Sequence, residues 1–306
     1  MEIFSIFLYG PADIQLIEHM NIKKVALVLQ GGAVRGAFTA GVLDVLMEND
    51  LYFQYVVGVS AGALISLSYL SKQIGRSRSV VVDFMADKKF VNPRFLLTKR
   101  SLFDFDYLFG DMATKILPFD FDTYEKSPIK FVVGTTSCHS GQPLYFIKDE
   151  TPDFFKAIAA SSSLPFFSAP VFVGEEPCLD GGIATPIPFQ KALDDGYKKM
   201  IVITTRDKNY RKDLDKPQHK NGLKALYGKY PKFIEAALEY PRRYNQDAAR
   251  LEELENLGMA FVVRPRLPIT LKRTEKDRAE LAKVYERGRA VATELLPKIK
   301  EYIKNE

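Results

Sequence analysis

Apolar residues recur along this chain in two patterns, as short β-forming runs and as longer stretches with helical spacing. The short runs at residues 24–29, 55–59, 129–135, 144–147, 200–204 and 259–263 predict buried strands. Helical spacing covers residues 37–48, 61–70, 153–160, 189–195, 234–256 and 277–303, and we expect the fifth of these helices to be interrupted near Pro241. Alternating strands and helices indicate a mostly parallel sheet covered on both faces, a three-layer α/β/α fold.

The distribution of charge predicts how the chain is organised. Charged residues become dense after Thr205, so we expect an N-terminal extension at residues 1–22, a catalytic domain at 23–205 and a mainly helical region at 206–306. Residues 262–263, followed by Arg264 and Pro265, predict that this last region returns one strand to the same sheet. The C-terminal region is therefore expected to be a helical elaboration of the fold more than an independent domain.

The first candidate for chemistry is the pentapeptide Gly-Val-Ser-Ala-Gly at residues 58–62, between a strand-forming and a helix-forming run. In a nucleophile elbow of this kind, Gly58 and Gly62 take strained or left-handed backbone angles and leave room for a substrate. The start of the helix adds N–H groups and a positive dipole end. Ser60 is therefore a candidate nucleophile, although small residues also cluster where a helix packs tightly on a sheet.

A second glycine cluster, GGAVRG at residues 31–36, also stands between a strand and a helix. Successive N–H groups in such a turn form an electropositive nest for a phosphate or for the oxyanion of an acyl-transfer intermediate. A nucleotide-binding protein is the weaker alternative, because Ala33 replaces the second glycine of Gly-x-Gly-x-x-Gly and no P-loop lysine motif follows.

A third cluster, Asp180 followed by two glycines, offers a carboxylate on a permissive turn. Asp-Gly-Gly is also an ordinary turn sequence. It therefore indicates a catalytic carboxylate only together with a serine that needs a base. A histidine is the usual base, but we expect the three histidines to be structural or surface residues, since none stands in a catalytic motif: His19, His139 and His219.

Together these motifs resemble the patatin-like phospholipase family. The likeness spans residues 24 to about 188 and includes the order and spacing of the glycine clusters. The AASSSLP run at residues 159–165 is similar to the family's Ala-Ser-x-x-x-Pro segment. The resemblance implies a patatin-like fold and hydrolysis of acyl esters by a Ser–Asp dyad, without histidine, metal or cofactor.

The resemblance also implies the role of each residue in the site. Ser60 is the expected nucleophile, Asp180 the base, and the oxyanion hole is expected at Gly31, Gly32, Ala33, Arg35 and Gly36. The family usually has a third glycine where this chain has Ala33, so the hole requires that Ala33 does not need a positive φ. An aspartate is a weak base in water, and we expect apolar neighbours and the absence of a nearby cation to raise the pKa of Asp180.

Two regions bear on the substrate. The aromatic-rich stretch at residues 90–109 favours either a loop that packs its rings into the core or a groove or lid for an acyl chain. The stretch at residues 206–232 interleaves basic residues with tyrosines, which suits an anionic bilayer and equally suits a solvated surface.

Composition excludes several classes of protein. A chain of 306 residues with 46% hydrophobic content buries a full core, and its net charge of +5 is too modest to argue for nucleic acid. No metal-ligand spacing is present, and Cys138 and Cys178 are expected to be reduced, as in a cytoplasmic protein. No apolar run reaches the length of a membrane span, so membrane contact, if any, is expected to be peripheral, at the inner membrane surface.

These observations predict a lipid acyl hydrolase whose substrate is a phospholipid or lysophospholipid. A carboxylesterase or thioesterase for soluble acyl esters is the first alternative, because the dyad would serve it equally well. A catalytically idle lipid-binding protein is the second alternative, and the intact Ser60 and Asp180 argue against it.

Overall fold

The computed structural model describes residues 23–216 and 219–304, so the predicted extension at residues 1–22, with His19, lies outside the described residues. The strands are β1 Lys23–Leu29, β2 Phe53–Val59, β3 Lys130–Ser137, β4 Pro143–Ile147, β5 Val171–Val173, β6 Glu176–Asp180, β7 Met200–Ile203 and β8 Ala260–Val263. The longer helices are α1 Gly36–Glu48, α2 Ala61–Leu70, α3 Phe154–Ser161, α4 Phe189–Asp194, α5 Lys220–Tyr227, α6 Pro231–Asn256 and α7 Arg278–Lys304. Further helical segments, short or irregular, lie at Ala33–Arg35, Arg76–Arg78, Ser79–Asp83, Phe84–Ala86, Phe95–Thr98, Phe105–Tyr107, Leu108–Ile116 and Phe121–Glu125.

The strands form one mixed sheet in the order β5-β6-β3-β2-β1-β7-β8, with β4 also paired to β3. The pairs β3-β2, β2-β1, β1-β7 and β7-β8 are parallel. The pairs β3-β4, β3-β6 and β6-β5, at one side of the sheet, are antiparallel. Helices cover both faces, which confirms the predicted three-layer α/β/α fold. The predicted return of a C-terminal strand is also confirmed, because β8 pairs with β7.

The two faces of the sheet follow from the alternation of side chains along each strand. In β1, Val25, Leu27 and Leu29 point to the core beneath α1, α2 and α7. Ala26 and Val28 point to the opposite core, which α4 and α6 complete. Because both faces are covered, the central strands are apolar throughout, as the sequence indicated.

Helix α7 packs closely on α1, and this contact ties the C-terminal region to residues 23–205. A methyl group at Gly41 would lie 2.2 Å from the carbonyl oxygen of Tyr285, and one at Gly288 would lie 2.1 Å from that of Phe38. The Tyr285 hydroxyl also donates a hydrogen bond of 2.6 Å to the buried carboxylate of Asp44. These contacts support an elaboration of one fold, while the boundary at residue 205 remains a prediction.

The predicted interruption of a helix near Pro241 is wrong, because α6 runs unbroken from Pro231 to Asn256. A proline inside a helix removes one hydrogen bond and costs about 3 kcal/mol. Apolar side chains buried on both sides of it, including Phe233 and Leu254, hold the helix in place. Tertiary packing therefore outweighs the local propensity.

Candidate active site

Ser60 stands at the sharp turn between β2 and α2. Its backbone has φ 54° and ψ −128°, a region that residues with a side chain rarely occupy and that costs about 1–3 kcal/mol. The turn is held by Ser161 of α3, whose Oγ accepts a hydrogen bond of 2.8 Å from the Ser60 amide and donates one of 2.6 Å to the Gly134 carbonyl oxygen. The sequence placed Ser161 in a family-like segment but did not assign it this positioning contact.

The glycines beside Ser60 are required for space. Gly58 lies within β2 and Gly62 within α2, so the expectation that they take strained or left-handed angles is wrong. A methyl group at Gly58 would lie 2.8 Å from the amide nitrogen of Ala63, and one at Gly62 would lie 2.5 Å from the carbonyl oxygen of Leu29. The two glycines therefore let α2 approach the sheet, and the strain falls on Ser60 itself.

Asp180 is the last residue of β6, and the fold brings it to Ser60. The Ser60 Oγ donates a hydrogen bond of 2.7 Å to Asp180 Oδ2, and the Gly182 amide donates one of 2.8 Å to Oδ1. The Thr136 hydroxyl on β3 donates to the Asp180 carbonyl oxygen at 2.8 Å. Asp180 is 4% exposed, so protein groups and not solvent orient its two carboxylate oxygens.

Burial raises the pKa of Asp180 to about 6, while the hydrogen bonds from Ser60 and Gly182 and the charge of Arg273 act in the opposite direction. The pKa is thus raised as expected, but the expectation that no cation lies near is wrong. A carboxylate with this pKa is ionised at neutral pH and is a stronger base than an aspartate in water.

The glycine-rich turn lies directly against Ser60. A methyl group at Gly31 would lie 2.8 Å from the Ser60 Cβ, and one at Gly32 would lie 2.5 Å from the Thr205 Oγ1. The Thr205 hydroxyl also donates a hydrogen bond of 2.8 Å to the Gly31 carbonyl oxygen. Glycine at both positions therefore permits the turn to pass between the serine and β7.

The turn offers fewer free amides than the sequence suggested. The Arg35 amide donates to the Gly32 carbonyl oxygen at 3.1 Å, and the Gly36 amide donates within the same helical turn, so neither amide is available to an oxyanion. Among the described residues, the amides of Gly31, Gly32 and Ala33 have no protein acceptor.

The amide of Ala61, at the start of α2, also has no acceptor in the described part of the chain. Sequence reasoning missed it. The signal was its position directly after the serine, where nucleophile elbows supply an oxyanion donor.

Ala33 adopts a left-handed backbone angle of φ 49°, so the condition that it should not need a positive φ is not met. A residue with a Cβ costs roughly 1–2 kcal/mol in this region. The turn tolerates this because β1 and α1 are buried on either side and set its direction. Alanine therefore stands in a conformation that glycine would adopt without strain.

A largely apolar cavity with a free volume of about 80 Å³, partly open to solvent, reaches Ser60. Its walls are aliphatic and aromatic side chains, among them Leu64, Ile65, Val80, Met85, Phe90, Phe103, Phe105, Phe109, Phe119 and Phe155. The ring centres of Phe105 and Phe109 are 6.1 Å apart, and that of Phe155 is 5.1 Å from Phe109. The aromatic stretch at residues 90–109 thus packs its rings together and lines a groove at the same time.

The basic stretch at residues 206–232 does not present its tyrosines as a bilayer surface. Tyr227 and Tyr230 are 3% and 5% exposed and belong to a core that α5 forms with α6. This correction follows from the helix α5, which the sequence did not predict because its apolar positions are few. Tyr210 instead packs against the Arg206 guanidinium, 4.0 Å from its ring centre.

The described histidines lie away from the dyad. His139 Nδ1 is 3.1 Å from Glu176 Oε2, and the His219 ring packs edge-on to Phe166. Within residues 23–216 and 219–304, His, Cys, Asp and Glu side chains form no group of three that could hold a metal ion. No helix in those ranges is long and apolar enough to cross a bilayer.

Comparison with known proteins gives two family matches. The model of the patatin-like phospholipase family matches residues 27–193, and a domain of unknown function (DUF6363) matches residues 230–304. The uncharacterized protein YjjU of Escherichia coli is 32% identical over 187 residues, which are 60% of this chain and 52% of that protein. Lysophospholipase NTE1 of Scheffersomyces stipitis is 24% identical over 230 residues, 72% of this chain and 14% of that protein.

The chain therefore spans about half of the first of these relatives and a smaller part of the second. Among solved structures, VipD from Legionella pneumophila is similar with a TM-score of 0.46 and 13% identity, over 90% of this chain and 67% of that one. That likeness is too weak to carry an argument about this site.

Proposed function

Because the chain belongs to the patatin-like phospholipase family, we propose that it hydrolyses the carboxylic ester bonds of phospholipids or lysophospholipids through an acyl-enzyme on Ser60. The observation that carries this proposal is the hydrogen bond of 2.7 Å from the Ser60 Oγ to Asp180, at the wall of an apolar cavity. The hydroxyl is thereby joined to a base in a buried site, which is the arrangement that activates a weak nucleophile.

In the proposed acylation step, Asp180 accepts the Ser60 proton while Oγ attacks the ester carbonyl carbon. The amides of Gly31, Gly32, Ala33 and Ala61 stabilise the negative oxygen of the tetrahedral intermediate. The intermediate collapses as the bond to the leaving alcohol breaks, and the alcohol takes the proton from Asp180. Each of these amides is fixed before the reaction, so no reorganisation is needed when charge develops.

Deacylation repeats the same chemistry with water. Asp180 accepts a proton from the water as its oxygen attacks the acyl carbon, and the Ser60 Oγ leaves and regains that proton. The fatty acid is released and the enzyme returns to its starting state. The pKa of about 6 suits Asp180 both to accept a proton and to donate it. Asp180 is ionised at neutral pH, so it can accept the proton, and it can then hold that proton for the leaving group.

The cavity supports a lipid in preference to a short soluble ester. Each methylene group buried against its aromatic and aliphatic walls contributes about 0.8 kcal/mol, so a long acyl chain gains affinity that a short one does not. The name of the yeast relative, a lysophospholipase, agrees with such a substrate. A carboxylesterase or thioesterase would use the same dyad but would not need this cavity.

We also propose peripheral contact with an anionic bilayer at the helical turn Phe95–Thr98, which lies in the chain between the cavity-lining residues Phe90 and Phe103. Leu97 is 89% exposed and Leu96 is 37% exposed. The exposed cations Arg94, Lys99 and Arg100 flank these leucines, which is the composition that favours an acidic membrane surface. Leu97→Asp should then lower activity on anionic vesicles and leave activity on a soluble ester unchanged.

Labelling with a fluorophosphonate probe, followed by identification of the modified residue, tests the nucleophile. We expect label on Ser60, and no label and no hydrolysis in Ser60→Ala. The matched controls His139→Ala and His219→Ala should keep most of the activity, because neither side chain contacts the dyad. A loss of about a thousandfold in either control would indicate a histidine base and contradict the proposal.

A further inference from the structure

Four cationic side chains form a cluster beside the glycine-rich turn: Arg35, Arg206, Lys212 and Arg273. Arg35 immediately follows Val34, which lines the apolar cavity, and Arg206 follows Thr205, whose hydroxyl bonds the Gly31 carbonyl oxygen. Burial, followed by the charges of Arg206 and Arg273, lowers the pKa of Arg35 to about 10. Arg206 and Lys212 both lie over the ring of Tyr210, 4.0 and 5.9 Å from its centre, so these two cations are close in space.

None of these four side chains forms an ion pair or a hydrogen bond with a carboxylate in the part of the chain that the structure describes. Arg35 is 8% exposed, and its Nε has no hydrogen-bond partner there. A buried guanidinium nitrogen without a hydrogen-bond partner is unfavourable, because it has lost its hydration and gained no compensating bond. The cluster is thus a preformed positive site that an anion would complete.

Tyrosines form the walls of this site and hold the cations in place. Lys212 Nζ lies 4.3 Å from the ring centre of Tyr240 and 5.4 Å from that of Tyr244, both on α6. The Lys212 backbone is pinned to the same helix, since its amide donates to Asn245 Oδ1 at 2.7 Å and its carbonyl accepts from Asn245 Nδ2 at 3.0 Å. The lysine is therefore positioned before any ligand arrives.

The electrostatics of Lys212 agree with an uncompensated site. Burial, followed by the charges of Arg273, Arg206 and Arg35, lowers the pKa of Lys212 to about 7. A bound anion would reverse the effect of those charges and keep the ammonium protonated.

We propose that Arg206, Lys212 and Arg273, together with Arg35, bind the phosphate of the substrate headgroup and select anionic lipids over zwitterionic ones. This inference rests on the proposed lipid hydrolysis. A phosphate diester with an uncharged second alcohol, as in phosphatidylglycerol, brings a negative charge alone. A choline headgroup also brings a quaternary ammonium, which four nearby cations repel.

The proposal gives a role to the C-terminal region. Tyr240, Tyr244 and Arg273 all lie within residues 230–304, the segment that matches a domain of unknown function. That segment would form the headgroup wall of the active site, while the catalytic region forms the acyl cavity. The glycine-rich turn would separate the two, with Val34 facing the acyl chain and Arg35 facing the phosphate.

The test compares dihexanoyl-phosphatidylglycerol with dihexanoyl-phosphatidylcholine as monomers, so that the charge of a lipid surface plays no part. We expect the intact chain to have a higher kcat/KM on phosphatidylglycerol, and Lys212→Met to lower the ratio of the two values roughly tenfold or more. The control Lys208→Met removes an exposed lysine of the same segment and should leave the ratio unchanged. Unfolding temperatures of both variants show whether they are folded.

Calorimetric titration with inorganic phosphate and with each lipid separates the remaining outcomes. Tighter binding of phosphatidylglycerol than of phosphatidylcholine, weakened in Lys212→Met, supports the proposal even if no lipid is hydrolysed, in which case the proposed function alone fails. Equal affinity and equal kcat/KM for the two lipids overturn it. Phosphate binding that needs Lys212, without any preference between the lipids, identifies a site for free phosphate and also overturns it.

Discussion

Replacing Asp180 by asparagine separates the effect of this buried carboxylate on hydrolysis from its effect on the stability of the fold. Asparagine keeps the shape and can still accept the hydrogen bond from the Gly182 amide, but it cannot accept the Ser60 proton. We expect hydrolysis to fall as far as in Ser60→Ala, while the folded protein becomes more stable at neutral pH. The physical reason is that removing an ionised carboxylate from water destabilises the folded state.

The size of the gain follows from the pKa of Asp180, which burial raises from 3.8 to about 6. A rise of about two pH units corresponds to about 3 kcal/mol of unfolding free energy. The folded protein holds the proton of Asp180 more tightly than the unfolded chain does. This contribution to the unfolding free energy is therefore fully present below pH 3.8, the pKa of Asp180 in the unfolded chain. It is lost as the pH rises through about 6, and asparagine should not show the loss.

Urea unfolding of both proteins between about pH 4 and about pH 8 measures this difference. Asp180→Asn should match the parent at the acid end, gain stability as the pH approaches 6, and keep a constant advantage above it. Burial also raises the pKa of Asp44 and Asp247, but both residues remain in both proteins, so their contributions cancel. The kcat/KM of the parent on a soluble ester should rise with pH, with a midpoint near 6.

Two results would refute this reasoning. If the difference in unfolding free energy does not change with pH, Asp180 does not titrate between its unfolded value and about 6. If Asp180→Asn is less stable than the parent at neutral pH, the hydrogen bonds of the carboxylate outweigh its desolvation.

Three further predictions concern the turn, the cavity and the helix contact. Ala33→Gly should raise the unfolding free energy by up to about 1 kcal/mol, because relief of the left-handed angle exceeds the entropy that glycine adds to the unfolded chain; Ala40→Gly, inside α1, should lower it. Phe105→Ala should reduce hydrolysis of long-chain esters and spare short ones, since it removes part of the acyl wall; exposed Phe172→Ala is the control. Gly288→Ala should cost about 1–3 kcal/mol through its clash with α1, measured by urea unfolding.

Each of these predictions has an outcome that contradicts it. No gain in Ala33→Gly would mean that the alanine methyl makes contacts worth its strain. Equal losses on short and long esters in Phe105→Ala would show that the ring supports the fold and not the acyl chain. A neutral Gly288→Ala would mean that α7 can move away from α1 without loss, and that the C-terminal region is less tightly joined.

The sequence by itself determined the elements whose pattern is strong and local. The apolar run of β1 and the helical spacing of α2 and α7 are long enough to identify each element, because both periods are visible within a single segment. The sequence did not predict the hairpin of β5 and β6, whose turn contains Gly174 at φ 60°. The second strand contains Pro177 and few alternating apolar residues, so its pattern is not typical of a strand. That strand exists because β3 pairs with it.

The tertiary structure alone decided how the residues meet and what their chemistry becomes. Ser60 and Asp180 are 120 positions apart, and the family resemblance implied a dyad that no local pattern predicts; the pairing of β6 with β3 brings the hydroxyl to the carboxylate. The raised pKa of Asp180 and the left-handed angle of Ala33 depend on burial and on the packing of the elements around them. The cations near Arg35 come from segments far apart in the chain. The local spacing of residues does not predict these properties. Desolvation, strain and charge proximity arise only when distant segments of the chain pack together.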